Sequence, residues 1–168
     1  IGPDKGLIYL LQAWKELCYK DGSRLLFAGR ESHHPWLHKL AVDTVGELSY
    51  TVSLLGWQDD VNRFYDSLSL YVQPSKTEGF GIEVLEALSR GRPALVSRGA
   101  GAADVVGDEF RFKVGDVKEL AGKIDALKSY RDEYTSAFDW KKMLQDMVVP
   151  YNWPSIRQRY IDVWKGVV

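Results

Sequence analysis

The chain has 168 residues, 45% apolar and 27% charged, which gives one domain of ordinary size with a real core and excludes a disordered chain. A net charge of −1 with no basic run argues against a nucleic-acid partner, and no apolar run approaches the length of a membrane span. One cysteine, Cys18, excludes an internal disulfide and fits a reducing compartment.

Ile1-Gly2-Pro3-Asp4-Lys5-Gly6 begins without methionine and leads straight into a helix, with no signal peptide ahead of it. It reads as the edge of something longer. Leu7, Leu10, Leu11, Trp14, Leu17 and Cys18 repeat at helical spacing, so a helix is expected over about 6–20, with Cys18 as packing on its apolar face. Asp21-Gly22-Ser23 ends it. Leu25 to Ala28 is a short strand stopped at Gly29. Pro35 to Leu48 carries Trp36, Leu37, Leu40, Ala41 and Val45 on one side of a second helix. Tyr50 to Leu55 reads as a strand closed by Gly56. Asp59 and Asp60 can cap a short helix with Val61, Phe64, Tyr65 and Leu68. Leu70-Tyr71-Val72 reads as a buried strand, followed by a helix over 82–90. Pro93 to Ser97 is another strand, Gly99 to Val106 a glycine-rich turn into a short helix, and Phe110 to Val114 a last strand. Leu120, Ile124 and Leu127 mark a helix, Tyr134 to Met147 another, and Ile156, Tyr160, Val163 and Trp164 a C-terminal one after Trp153-Pro154.

Short apolar strands alternate with helices throughout. That pattern predicts an α/β, Rossmann-like fold: a parallel sheet with helices on both faces. Ligands of such sheets bind beyond the carboxyl ends of the strands, so the loops after Ala28, Leu55, Val72 and Ser97 should share one rim.

The segment from Pro74 to Leu88 carries the chemistry. It sets a carboxylate, Glu78, before two glycines that flank an aromatic, Gly79-Phe80-Gly81, and places a second carboxylate, Glu86, eight residues after the first. The glycines form the turn at a helix N-terminus, where free N–H groups and the positive end of the helix dipole make an anion or hydroxyl site. They also leave room for a ligand against the backbone. Glu86 lies four residues after Ile82, on a stripe expected to face inward, where a bare carboxylate needs partners. Sugar or ribose hydroxyls would supply them. The plainer reading pairs Glu86 with Arg90 and leaves Glu78 a solvated loop acid. A ligand with negative charge and many hydroxyls, such as a nucleotide sugar, suits the glutamates, glycines and strand together.

Lys5, at the start of the first helix, can reach a phosphate on the same rim or be a plain surface lysine. Gly99-Ala100-Gly101-Ala102-Ala103-Asp104 imitates a dinucleotide fingerprint, but Asp104 stands where a third small residue belongs, so no nicotinamide site is expected. His33, His34 and His38 read as a solvated loop rather than a metal site. The six tryptophans read as core packing, except Trp57, which follows Gly56 on the rim and could lie near a base or cover the sheet end.

Pro74-Ser75, Glu78-Gly79-Phe80-Gly81, Glu86-Ala87-Leu88 and Gly91-Arg92-Pro93 together resemble the nucleotide-sugar-binding half of the group 1 (family 4) glycosyltransferases, retaining enzymes of GT-B architecture. The resemblance covers nearly the whole chain. Lys5-Gly6 is similar to the family's lysine-glycine at the first helix, Gly29 to the glycine after its next strand, and Leu55-Gly56 to the segment beside the base. Ala100-Gly101 and Asp104 stand where the family has paired glycines and a glutamate. Its glycine-arginine pair, whose arginine binds pyrophosphate, would fall before Ile1, as would the acceptor-binding half. The family's C-terminal helix often crosses back to that half, and Trp153 to Val168 could be that segment.

The resemblance implies that residues 1–168 are a donor-binding domain trimmed at its N-terminal edge. Lys5 and Glu78 would be the catalytic pair, Lys5 neutralising the departing pyrophosphate and Glu78 contacting the donor sugar. Gly79, Phe80, Gly81 and Ile82 would hold sugar hydroxyls and phosphate through the backbone. Glu86 would accept from the ribose hydroxyls, with Gly29, Gly56 and Trp57 completing the donor site. A nucleotide diphosphate sugar would be the donor substrate, with no cofactor and no metal, in a cytoplasmic enzyme that could sit peripherally at a membrane. The alternative is a module that binds nucleotide sugars without transferring them.

Overall fold

Apolar spacing builds the first helix as expected. α1 (Leu7–Leu17) buries Leu10, Leu11, Ala13 and Trp14. A computed structural model describes residues 3–17, 22–30, 32–133 and 140–166. Cys18 and the stretch 134–139 of an expected helix lie outside the described residues. After α1 come β1 (Leu25–Ala28), α2 (Pro35–Val45), β2 (Val52–Gly56), α3 (Val61–Ser67), β3 (Tyr71–Gln73), α4 (Ile82–Ser89), β4 (Ala94–Ser97), β5 (Arg111–Phe112), α5 (Val117–Glu133), α6 (Trp140–Val148) and α7 (Trp153–Gly166).

Every ladder is parallel: β1 with β2, β3 with β4, and β4 with β5. Leu25 stands opposite Val52 and Val72 opposite Leu95. The expected single sheet is divided, among the described residues, into a pair β1-β2 and a trio β3-β4-β5. Helices cover the strands, with α1 against α2 and α5, and α4 against α6. The core gathers Leu11, Leu37, Val84, Leu88, Leu95, Phe110, Phe112, Leu120 and Leu144. β4 is buried along its whole length, as a central parallel strand should be.

Several boundaries differ from the sequence expectation, each for a local reason. The helix expected to reach Leu48 stops at Val45 because Gly46 turns left-handed at φ 58° and returns its N–H to the Val42 carbonyl. A 3-10 stretch, Gly46–Thr51, follows. The Thr51 hydroxyl donates to the Leu48 carbonyl at 2.6 Å and accepts the Trp14 indole N–H at 2.8 Å, so β2 begins at Val52 and not Tyr50. The last strand shrinks to Arg111–Phe112. Phe110 closes a 3-10 turn, and the Lys113 N–H turns to the Glu119 carboxylate at 2.8 Å.

α7 departs furthest. The helix forms where its apolar spacing predicts, yet none of its residues is buried, and Trp164 is 76% exposed. Its principal neighbour is the short turn Val149–Tyr151. Core packing therefore accounts for Trp14 and not for Trp153 or Trp164, both of which face solvent. No described helix is long and apolar enough to cross a membrane.

Candidate functional site

Parallel ladders place the carboxyl ends of the strands on one rim, and hydrogen bonds lock its loops together. On one side the Gly29 N–H donates to the Gly56 carbonyl at 2.8 Å, and the Gly56 N–H donates to the buried Ser32 hydroxyl at 2.7 Å. On the other, the Lys76 N–H donates to Asp4 at 2.7 Å, Glu78 to Gly99 at 3.0 Å, Gly101 to Glu78 at 3.2 Å, and Ala102 to Phe80 at 2.7 Å. The last three bonds splice the motif loop to the loop after β4.

Close backbone approach explains which glycines this needs. Gly6 sits at φ +66°, and a Cβ on it would overlap the Pro74 carbonyl, so the start of α1 can lie directly on the end of β3. Gly99 and Gly101 press against the carbonyls of Lys76 and Gly79 in the same way. The Gly99–Asp104 stretch is thus the fit of one rim loop to another. Gly79 has open space around it, as expected of a position left clear. Gly81 differs: it is buried, and its φ of +94° makes the turn into α4.

Lys5 forms an ion pair with Glu78, across 73 residues of sequence. Their side chains are 42% and 22% exposed, so both remain within reach of solvent. Beneath them lies a satisfied polar floor. Tyr71 Oη donates to Gln73 Oε1, Gln73 Nε2 donates to Ser75 Oγ at 2.9 Å, and the Ser97 hydroxyl donates to the Ser75 carbonyl. Burial pushes the Tyr71 phenol well above the usual tyrosine range.

Glu86 projects from α4, but its stripe does not face inward. Val84, Ala87 and Leu88 are the buried face, whereas Ile82 is 64% exposed and Glu86 is exposed with it. Its partner is Tyr65, whose hydroxyl donates to Glu86 Oε2 at 2.9 Å. Burial, then the bond to Glu86, raises the Tyr65 phenol far above the usual range. Tyr65 meets Tyr71 edge-on, ring centroids 5.9 Å apart. Arg90 does not pair with Glu86; its Nε donates to Asp66 Oδ1 at 3.0 Å, and that hydrogen bond holds the Asp66 carboxyl below its ordinary value.

Phe80 is half-buried with its ring 6.0 Å from that of Tyr151. On the far side of the rim Trp57 is 58% exposed, donates Nε1 to Asp59 Oδ1 at 2.9 Å, and lies under the Arg30 guanidinium at 4.9 Å. Among the histidines, His34 caps α2 by accepting the Trp36 N–H at 3.3 Å, and His33 lies against Gly56.

The structure therefore brings Lys5, Glu78, Gly79, Phe80, Gly81, Ile82 and Glu86 to one half of the rim, and Gly29, Gly56 and Trp57 to the other. A cleft of about 1830 Å³ runs between the halves, with Lys5, Gly29, Trp57 and Glu86 in its walls. Sequence reasoning missed Tyr65 and Arg30. Asp60, whose side chain accepts the Arg63 N–H at 2.9 Å, signalled the helix that carries Tyr65, but nothing in the sequence linked that phenol to a carboxylate 21 residues on.

The family model described as glycosyl transferases group 1 matches residues 1–129. The sulfoquinovosyl transferase of Arabidopsis thaliana is 29% identical over 84% of this chain and 29% of its own length. The lipopolysaccharide 1,2-N-acetylglucosaminetransferase of Salmonella typhimurium is 30% identical over 99% of this chain and 46% of its own. The chain thus spans less than half the length of these relatives. Among solved structures, Anabaena HepE in complex with UDP superposes with a TM-score of 0.78 at 20% identity, over 98% of this chain and 46% of that one. A glycosyltransferase from Rickettsia africae gives 0.83 at 18%, over 98% and 45%. At these identities the structures show a shared fold, that of the C-terminal halves of GT-B enzymes.

Proposed function

The chain belongs to the group 1 glycosyl transferases, and from that premise we propose that it is the part that holds a nucleotide diphosphate sugar, in an enzyme that transfers the sugar with retention of configuration to an acceptor bound by the rest of the protein. The observation that carries this reading is the Lys5–Glu78 ion pair on the rim, beside the turn into α4. Donor binding would exchange that contact. Lys5 would turn to the diphosphate and Glu78 to the sugar hydroxyls. As the bond from the anomeric carbon to the diphosphate breaks, negative charge grows on the leaving group. The Lys5 ammonium and the N–H groups that open α4 would stabilise it there.

Glu86, held by Tyr65, would accept from ribose hydroxyls. Trp57 under Arg30 offers a flat face for the base. Lysine and helix dipole supply the charge that a divalent metal otherwise would, so binding needs none. One cysteine in 168 residues fits a reducing, cytoplasmic setting. Titration calorimetry with UDP, GDP and ADP sugars tests the reading. At least one should bind, and Lys5→Ala should weaken it by tenfold or more. Failure of every donor to bind the folded chain would overturn it.

A further inference from the structure

Glu86 is a long, exposed side chain on α4, and a glutamate in that setting has two easy fates. It can swing in solvent, or it can pair with a cation four residues on, the better orientation for an ion pair along a helix. Arg90 stands at that position. Its backbone still follows the helix, since its N–H donates to the Glu86 carbonyl at 3.3 Å and to the Ala87 carbonyl at 3.1 Å. Neither fate is observed, and two adjacent residues of α3 are the reason.

Tyr65 blocks the first. Its hydroxyl donates to Glu86 Oε2 at 2.9 Å, and with only 4% of the residue exposed the phenol has no bulk water to take instead. Its ring is held between Phe64, at 5.6 Å, and Tyr71, at 5.9 Å. A neutral donor so fixed orients one carboxylate oxygen and leaves the charge in place. Asp66 blocks the second. The Arg90 Nε donates to Asp66 Oδ1 at 3.0 Å and its Nη2 pairs with Oδ2. A two-pronged guanidinium–carboxylate contact adds direction as well as energy, and it turns Arg90 away from Glu86. Arg92 Nη2 donates to the Asp66 carbonyl at 2.7 Å and steadies the same end of α3. Among the described residues Glu86 therefore forms no ion pair and accepts no second side-chain hydrogen bond. We propose that Tyr65 and Asp66 are positioning residues for the ribose of the donor: Tyr65 fixes Glu86 Oε2, Asp66 withholds Arg90, and Oε1 is kept as a charged acceptor for the ribose hydroxyls. This rests on the reading of the chain as a nucleotide-sugar-binding domain. Its consequence is selectivity for ribonucleotide donors over deoxyribonucleotide ones, set by two residues that stand behind the acceptor.

The test is calorimetry at low ionic strength with UDP, GDP and ADP and with their 2′,3′-dideoxy forms, which lack the hydroxyls. The readout is the ratio of the two affinities for a given base. A merely structural defect weakens both ligands and leaves that ratio unmoved. In wild type the ratio should favour the ribonucleotide by about tenfold, the worth of hydrogen bonds to a charged acceptor. Tyr65→Phe should cut the ratio by about fivefold, most of that preference. Asp66→Ala should cut it by about twofold, the size of an i, i+4 ion pair, because Arg90 then competes for Glu86. Asp66 and Arg90 side chains are 42% and 39% exposed, so these substitutions leave the core intact. Adding Arg90→Ala to Asp66→Ala should restore the wild-type ratio, and adding it to Tyr65→Phe should not. An unchanged ratio in either single variant overturns the proposal for that residue. A loss in Asp66→Ala that Arg90→Ala fails to restore also overturns the part of Asp66. In each of these cases donor binding itself stands. Binding of no nucleotide by the folded wild-type chain would overturn the nucleotide-sugar reading and this proposal with it.

Discussion

Glu78 touches a lysine on the rim and Glu86 a buried tyrosine, so the two carboxylates should answer to different parts of one ligand. Glu86→Gln should weaken a free nucleotide and its sugar conjugate alike. Glu78→Gln should leave the free nucleotide nearly unchanged and weaken only the conjugate. Each loss should be about 1–3 kcal/mol, the worth of a charge-assisted hydrogen bond. Calorimetry on both variants and both ligands decides it, and equal losses in all four pairings would refute the division. Tyr65 permits a second test at this scale. Its phenol is raised in the folded state, so the fold retains a proton that the unfolded chain gives up as pH climbs past about 10. The sign follows: the stability linked to Tyr65 is complete below about pH 10 and drains away above it. Tyr65→Phe should lower stability at pH 7 by about 0.5–1.5 kcal/mol for the lost hydrogen bond. Its stability should also fall less steeply than wild type between pH 9 and 11. Parallel urea midpoints across that range would show that the phenol stays solvated.

At the scale of elements, burial separates helices and strands that hold the fold from those that do not. Leu95 is fully enclosed in β4, and Leu95→Ala should cost about 2–5 kcal/mol. Trp164 is larger but stands in solvent on α7, and Trp164→Ala should change stability by no more than about 0.5 kcal/mol. Urea denaturation of the two variants gives the contrast, and a large loss at Trp164 would mean that α7 is packed. The same contrast explains what the sequence made legible. β1, α3 and α4 were readable because a local apolar run or spacing agrees with a local boundary signal, the stop at Gly29 or the helix starts at Asp60 and Gly81. Gly46–Thr51 was not, since a left-handed glycine and the hydroxyl of Thr51 outweigh an apolar pattern that fits both helix and strand. The Glu78 turn was legible from its glycines. Lys5 was readable as a neighbour on that rim, but its ion pair with Glu78 was not, because it joins residues 73 apart. The facing of Glu86 does not follow from its spacing to Ile82, because Val84, Ala87 and Leu88 at i, i+3 and i+4 define the buried side. Tyr65 and Arg30 could not be read at all, because their contacts depend on tertiary placement.

At the scale of the whole chain, the proposed function asks a nearly neutral protein to hold a diphosphate. The net charge is −1, so no long-range field gathers anions, and the attraction must be local. Locally the rim offers the Lys5 ammonium and the N–H groups at the start of α4, set close to the carboxylate of Glu78. Donor affinity should therefore be the same within about twofold in magnesium, manganese or EDTA, while salt should weaken it modestly because Lys5 is 42% exposed and partly screened. Calorimetry in the three buffers at matched ionic strength makes the comparison. A tenfold loss in EDTA would show that the ion, and not the lysine with the helix, carries the diphosphate.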